Sequence, residues 1–110
     1  MPYVFVYTMF PPHKTKEIAQ MYVETTKDFN SAARGLTKMV IQNAVKSTEN
    51  GIESIGVHDV KEGNLEKFLN VQTNYMVNYH DIEGFRYKIE VRNKVTEAME
   101  MLGMKAPEPL

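Results

Sequence analysis

Of the side chains that exchange a proton near neutral pH, this chain has three: His13, His58 and His80. His58 sits in the apolar run Ile52–Val60 and faces Asn43 across a hairpin whose register is read below. A neutral imidazole donates one hydrogen bond and accepts another, and a partly buried one can act as a general base. The plain alternative is a strand-end histidine satisfied by Asn43 or by water. A second group is Arg86, Lys88, Glu90 and Arg92, alternating with Phe85, Tyr87, Ile89 and Val91. Such a row of cations suits a carboxylate or similar anion; it also suits an edge strand that carries charge against aggregation. Tyr3 and Tyr7 offer hydroxyls to the same face. His13 and His80, with Asp81 and Glu83, make a third group. Two imidazoles and a carboxylate can hold a divalent transition metal, but the spacing fits no short metal motif, and a cation at a helix C-terminus is favourable for stability alone. His58 is therefore the candidate catalytic residue. The candidate ligand-binding set is Tyr7, Asn43, His58, Arg86 and Lys88, with no metal site and no bound cofactor.

The elements that would hold these residues are legible from period and punctuation. Tyr3–Phe10 is a β-branched and aromatic run ended by Pro11 and Pro12. It is apolar on both faces, as a central covered strand is. Val4 and Val6 are read as meeting the helices, because the tyrosines on the other face tolerate a polar boundary better. From about Pro12 to Asn30, Ile18, Met21, Tyr22, Thr25 and Phe29 form one helical stripe. Leu36–Thr48 and Ile52–Val60 read as a hairpin about Asn50-Gly51, a type I′ signal. That loop pairs Val45 with Gly56, Asn43 with His58 and Ile41 with Val60 on one side, and Ala44 with Val57 on the other. Asn64 is a helix N-cap, and Leu65, Phe68, Leu69, Gln72, Met76 and Tyr79 are the stripe of a second helix. Phe85–Arg92 is the last strand. Val95–Leu102 is a short helix closed by Gly103. Residues 1–104 form one domain, and 105–110 read as a loose tail.

Composition narrows the classes. The chain has 110 residues, 43% hydrophobic and 25% charged, which is ordinary globular composition. Its net charge of −1 leaves no domain-wide positive charge for a phosphate backbone, so nucleic acid is not an expected partner. The apolar N-terminal run is too short to span a bilayer and has no basic leader, so neither a membrane nor export is expected and the location is read as cytoplasmic. Cysteine is absent, in keeping with a reducing compartment.

The element order β-α-β-β-α-β over about residues 3–92 resembles the ferredoxin-like fold, an α+β class in which a four-stranded antiparallel sheet of order 4-1-3-2 carries both helices on one face. The resemblance implies a bare second face. Here Met39, Ile41 and Val45, and the doubly apolar first strand, make that face partly greasy, which marks an interaction surface. Small proteins of this kind look most like the dimeric α+β barrel group, which includes cofactor-free monooxygenases, haem-degrading enzymes and stress-responsive proteins. No catalytic motif of that group is matched. Other users of the fold are set apart by what is missing. The chain has no Cys-x-x-Cys for a heavy metal and no Arg-bearing glycine loop of the acylphosphatase kind. The third strand has no aromatics for base stacking, and no Gly-rich phosphate loop exists. The expectation is a homodimer through the sheet face that binds or acts on a small organic molecule; the alternative is a structural or regulatory dimerisation module. In the expected site, His58 and Asn43 share the bare face with Arg86 and Lys88, bridged over Tyr7.

Overall fold

The computed structural model describes residues 1–109. Its elements are β1 (Tyr3–Phe10), a 3-10 turn (Pro12–Lys14), α1 (Thr15–Ala33), β2 (Thr37–Thr48), β3 (Gly51–Val60), α2 (Leu65–Val77), β4 (Arg86–Arg92) and α3 (Val95–Met101). The four strands form one antiparallel sheet of order β2-β3-β1-β4, an α+β arrangement consistent with the ferredoxin-like fold. Residues 105–109 carry neither helix nor strand, and Leu110 of the expected tail lies outside the described residues.

One face of the sheet meets α1 and α2. Val4, Val6 and Val60 from the strands pack with Phe29 and Ala33 of α1 and with Phe68 and Met76 of α2. Alternation along β4 adds Tyr87 and Ile89 to the same layer, each opposite a helix-facing residue of β1. Val4 and Val6 thus meet the helices as expected. Tyr3, Phe5, Tyr7 and Met9 take the opposite face, which neither long helix covers.

The hairpin differs from its expected form. Thr48 pairs with Gly51, Val45 with Ser54 and Ala44 with Ile55, so the loop is Glu49-Asn50, displaced from the expected pairing of Val45 with Gly56. No non-glycine residue among the described residues has positive φ, so Asn50 does not occupy the left-handed position a type I′ turn requires. The Thr48 hydroxyl organises the turn instead, donating to the Gly51 carbonyl at 2.9 Å and accepting from the Asn50 amide at 3.2 Å. Gly51 has φ +133°, and a Cβ there would lie 2.6 Å from the Phe10 carbonyl oxygen. Glycine is required by the neighbouring strand as much as by the turn.

Further along, β2 is irregular twice, between Met39 and Ile41 and between Ile41 and Ala44, so that Ile41 pairs with Val57 and Met39 with His58. Each irregularity inserts chain into one strand and re-aims the side chains beside it. Asn64 precedes α2 but makes no side-chain cap; its carbonyl accepts the Phe68 amide at 2.9 Å. Gly103 has φ +70° and its amide bonds back to Glu100, closing α3 as expected.

Candidate functional site between the helices and the sheet

The register of the central strands decides where the histidine goes. Val4 pairs with His58 across β1 and β3, and paired residues share a face, so His58 lies on the helix side with Val4. It is buried, 4% exposed. Its ring packs against Phe68 at 4.8 Å between centroids and against Phe29 at 5.9 Å. Nδ1 has no hydrogen-bond partner. Burial pushes the imidazole down to about 4, so the ring is neutral at physiological pH.

The expected pocket is therefore divided by the sheet. His58 and Asn43 line one cavity on the helix side. Tyr7, Arg86 and Lys88 lie on the opposite face, where they border a separate groove of 330 Å³. Placing His58 on the bare face fails for a physical reason. A polar side chain in a strand reads as outward-facing, yet a neutral imidazole clustered with two aromatic rings is compatible with a core.

The helix-side cavity has a volume of 540 Å³. α1 forms its roof without sinking into the sheet: Ile18, Tyr22 and Thr26 line the cavity half-buried, and only Phe29 and Ala33 of the helix are fully buried. α2 supplies Gln72, Tyr75 and Met76 as a wall, and Gly56 and Ser54 belong to the strand floor. At the mouth, the β2 irregularities bring Gln42 and Asn43 to the helix. Gln42 donates from Nε2 to the Tyr22 hydroxyl at 2.9 Å, and Asn43 from Nδ2 to the same oxygen at 3.5 Å. Strand and helix are tied at that point by polar contacts.

Deeper in, the polar atoms are few. Gln72 is 3% exposed; its Nε2 donates to the Met76 sulfur at 3.3 Å, and its Oε1 has no partner. The hydroxyls of Tyr75 and Tyr79 lie 2.7 Å apart. Burial, and then the Tyr75 hydroxyl bond, raise the Tyr79 pKa, so the Tyr79 hydroxyl stays protonated. Thr8 and Ser54 share a hydroxyl hydrogen bond across β1 and β3. No Lys, Arg, Asp or Glu lines the cavity. Gln72 and Tyr22 were missed as functional residues in the sequence. The available signal was a single amide within the otherwise apolar stripe of α2.

The opposite face is organised by charge over aromatics. Lys94 lies over Tyr3 at 5.2 Å, Arg92 over Phe5 at 4.9 Å and Lys88 over Tyr7 at 4.9 Å, while Arg86 donates to the Met9 sulfur at 3.2 Å. Such pairs contribute modestly at exposed sites. Glu90 bridges Lys88 at 2.7 Å and Arg92 at 3.0 Å, and those hydrogen bonds hold its carboxyl below the usual range. Lys94 also pairs with Asp59 at 2.8 Å, which raises the lysine. These cations are thus already partnered within the chain.

The third group does not assemble. His80 stacks on Tyr87 and lies 3.0 Å from its hydroxyl, and no cluster of three or more His, Cys, Asp or Glu suited to a metal occurs among the described residues. No helix among them is long and apolar enough to cross a membrane.

No protein-family model and no curated protein matches the chain. Among solved structures it is similar to a crystal structure of a structural-genomics target from Agrobacterium tumefaciens, with 10% identity over 80% of this chain and 90% of that one and a TM-score of 0.44. So distant a likeness carries neither a substrate nor a site.

Proposed function

We propose that the chain is a homodimeric protein of the α+β-barrel kind, paired through its open sheet face, that binds a small organic molecule in the helix-side cavity without a bound cofactor. The observation that carries the binding reading is the cavity itself, 540 Å³ between helices and sheet, with His58, Gln72, Gln42 and Asn43 among its lining residues. That volume is in the range of ligand pockets. His58 is the residue we assign to any chemistry on the bound molecule, since its neutral ring has a lone pair free to accept a proton. Asn43 stands at the mouth as a polar contact.

Native mass spectrometry of the purified protein, followed by thermal-shift screening with small organic molecules, tests this reading. A ligand should raise the melting temperature, and His58→Ala should weaken its binding while leaving the dimer intact. If no compound shifts the midpoint and no mass beyond the polypeptide is found, the binding reading fails. The rival, a dimerisation module with no ligand, is supported by the open face itself. It predicts a dimer whose stability is indifferent to every compound.

A further inference from the structure

We infer that the helix-side cavity takes an uncharged, largely apolar molecule that enters between α1 and β2 and leaves one carbonyl oxygen at the mouth, bonded by Tyr22, Gln42 and Asn43. This occupancy rests on the cavity being a ligand site, as proposed above; the mouth adds the class of ligand and its orientation.

Exposure marks the way in. Gly56 and His58 on the strand floor and Gln72 and Met76 on the α2 wall are buried, whereas every exposed lining residue belongs to α1 or β2. Apolar side chains stand in water at that rim: Val23 of α1 is 77% exposed and Val45 of β2 is 65% exposed. Such a rim is covered best by the body of an apolar ligand. No Lys, Arg, Asp or Glu lines the cavity. An ion would therefore leave water for an apolar space that offers no countercharge, which is costly for either sign.

The polar atoms at the mouth are donors gathered around one point. Gln42 Nε2 lies 2.9 Å and Asn43 Nδ2 3.5 Å from the Tyr22 hydroxyl oxygen, and both contacts are exposed. The two bonds occupy the lone pairs of that oxygen and leave its own hydrogen to give. Each amide nitrogen also keeps a second N–H. The Asn43 oxygen is turned the other way, toward the floor: a Cβ at Gly56 would lie 3.4 Å from Oδ1. A cluster of donors suits an acceptor oxygen and offers nothing to an ammonium. A carbonyl is an acceptor that brings neither a proton nor a charge.

The test is calorimetric titration of the full-length protein near pH 7.5 with two matched series. Acetophenone is set beside ethylbenzene, benzoate and benzylammonium, and acetylnaphthalene beside its naphthyl counterparts. In at least one series the ketone should bind about tenfold or more tighter than each of the other three. Tyr22→Phe should bring the ketone to the level of the hydrocarbon and leave the hydrocarbon unchanged. Ala19→Trp, at an exposed position of the mouth, should abolish binding of every compound with the urea midpoint retained. Should Tyr22→Phe fail to fold, the wild-type protein decides: the infrared carbonyl stretch of the bound ketone should move to lower frequency than in an apolar solvent. Equal affinity across a series, a ketone preference that survives Tyr22→Phe, or an unshifted carbonyl stretch overturns the ligand class and leaves the cavity reading standing. Binding that survives Ala19→Trp overturns the route between α1 and β2. If none of the eight compounds binds, this ligand class is overturned, and the cavity reading falls only with the broader thermal-shift screen.

Discussion

At the scale of single residues, the histidine in the core sets a measurable dependence on pH. Burial lowers the His58 pKa from the ordinary 6.5 to about 4. The unfolded chain therefore takes up a proton first as the pH falls. Stability is fully present above about pH 6.5 and is lost as the pH drops toward 4, at roughly 1.4 kcal/mol per unit and about 3 kcal/mol in all. His58→Leu should flatten that part of the curve, read as the urea midpoint from pH 7.5 to 4.5. An unchanged slope would show that the imidazole is not held neutral in the fold. Residue identity alone did not reveal this setting. His58 and Asn43 were singled out by type, but the face was misjudged, because desolvation of an imidazole looks prohibitive until its ring is seen packed in one cluster with Phe29 and Phe68. Gln72 was legible as a member of a helical stripe and silent as a hydrogen-bonding group. Its free oxygen becomes visible only when the Met76 sulfur is seen to occupy the nitrogen.

At the scale of elements, punctuation and period carry a long way. Tyr3–Phe10, a run stopped by two prolines, is recovered with its expected bounds, and the alternation of the last strand places Phe85, Tyr87 and Ile89 against the core, although the strand begins at Arg86 and Val91 stays exposed. What the pattern cannot show is an inserted residue. The irregularities of β2 leave hydrophobic periodicity nearly intact while shifting every pair on one side of them, so the register had to come from the fold. The Asn50-Gly51 signal pointed to the right hairpin and the wrong pair of loop residues. Gly51→Val should still destabilise the protein. The substituted residue would hold a strained positive φ and press its Cβ against the Phe10 carbonyl, at a cost on the order of 1–3 kcal/mol. Equilibrium denaturation measures it. A midpoint matching the wild type would mean that β1 and the turn move apart more freely than their contact suggests.

At the scale of the whole molecule, the chain has more surface than its size requires. Its radius of gyration is 15.7 Å, against roughly 13 Å for a compact domain near this length, and β2 is half-buried at best along all its twelve residues. Ile41, 39% exposed, sits on the open face opposite Val57. If copies pair there, Ile41→Glu should shift the light-scattering mass toward the monomer at micromolar concentration, while Lys27→Glu, on the solvated side of α1, should not. A wild-type monomer under those conditions would end the proposal of a sheet-face dimer. The same strand bears on what the molecule avoids. A long outer strand with free backbone groups is a template on which further chains can add one after another, growing into fibres. The two interruptions in β2 break that template into short, mutually offset pieces, so an incoming straight strand could match one piece only by losing step with the next.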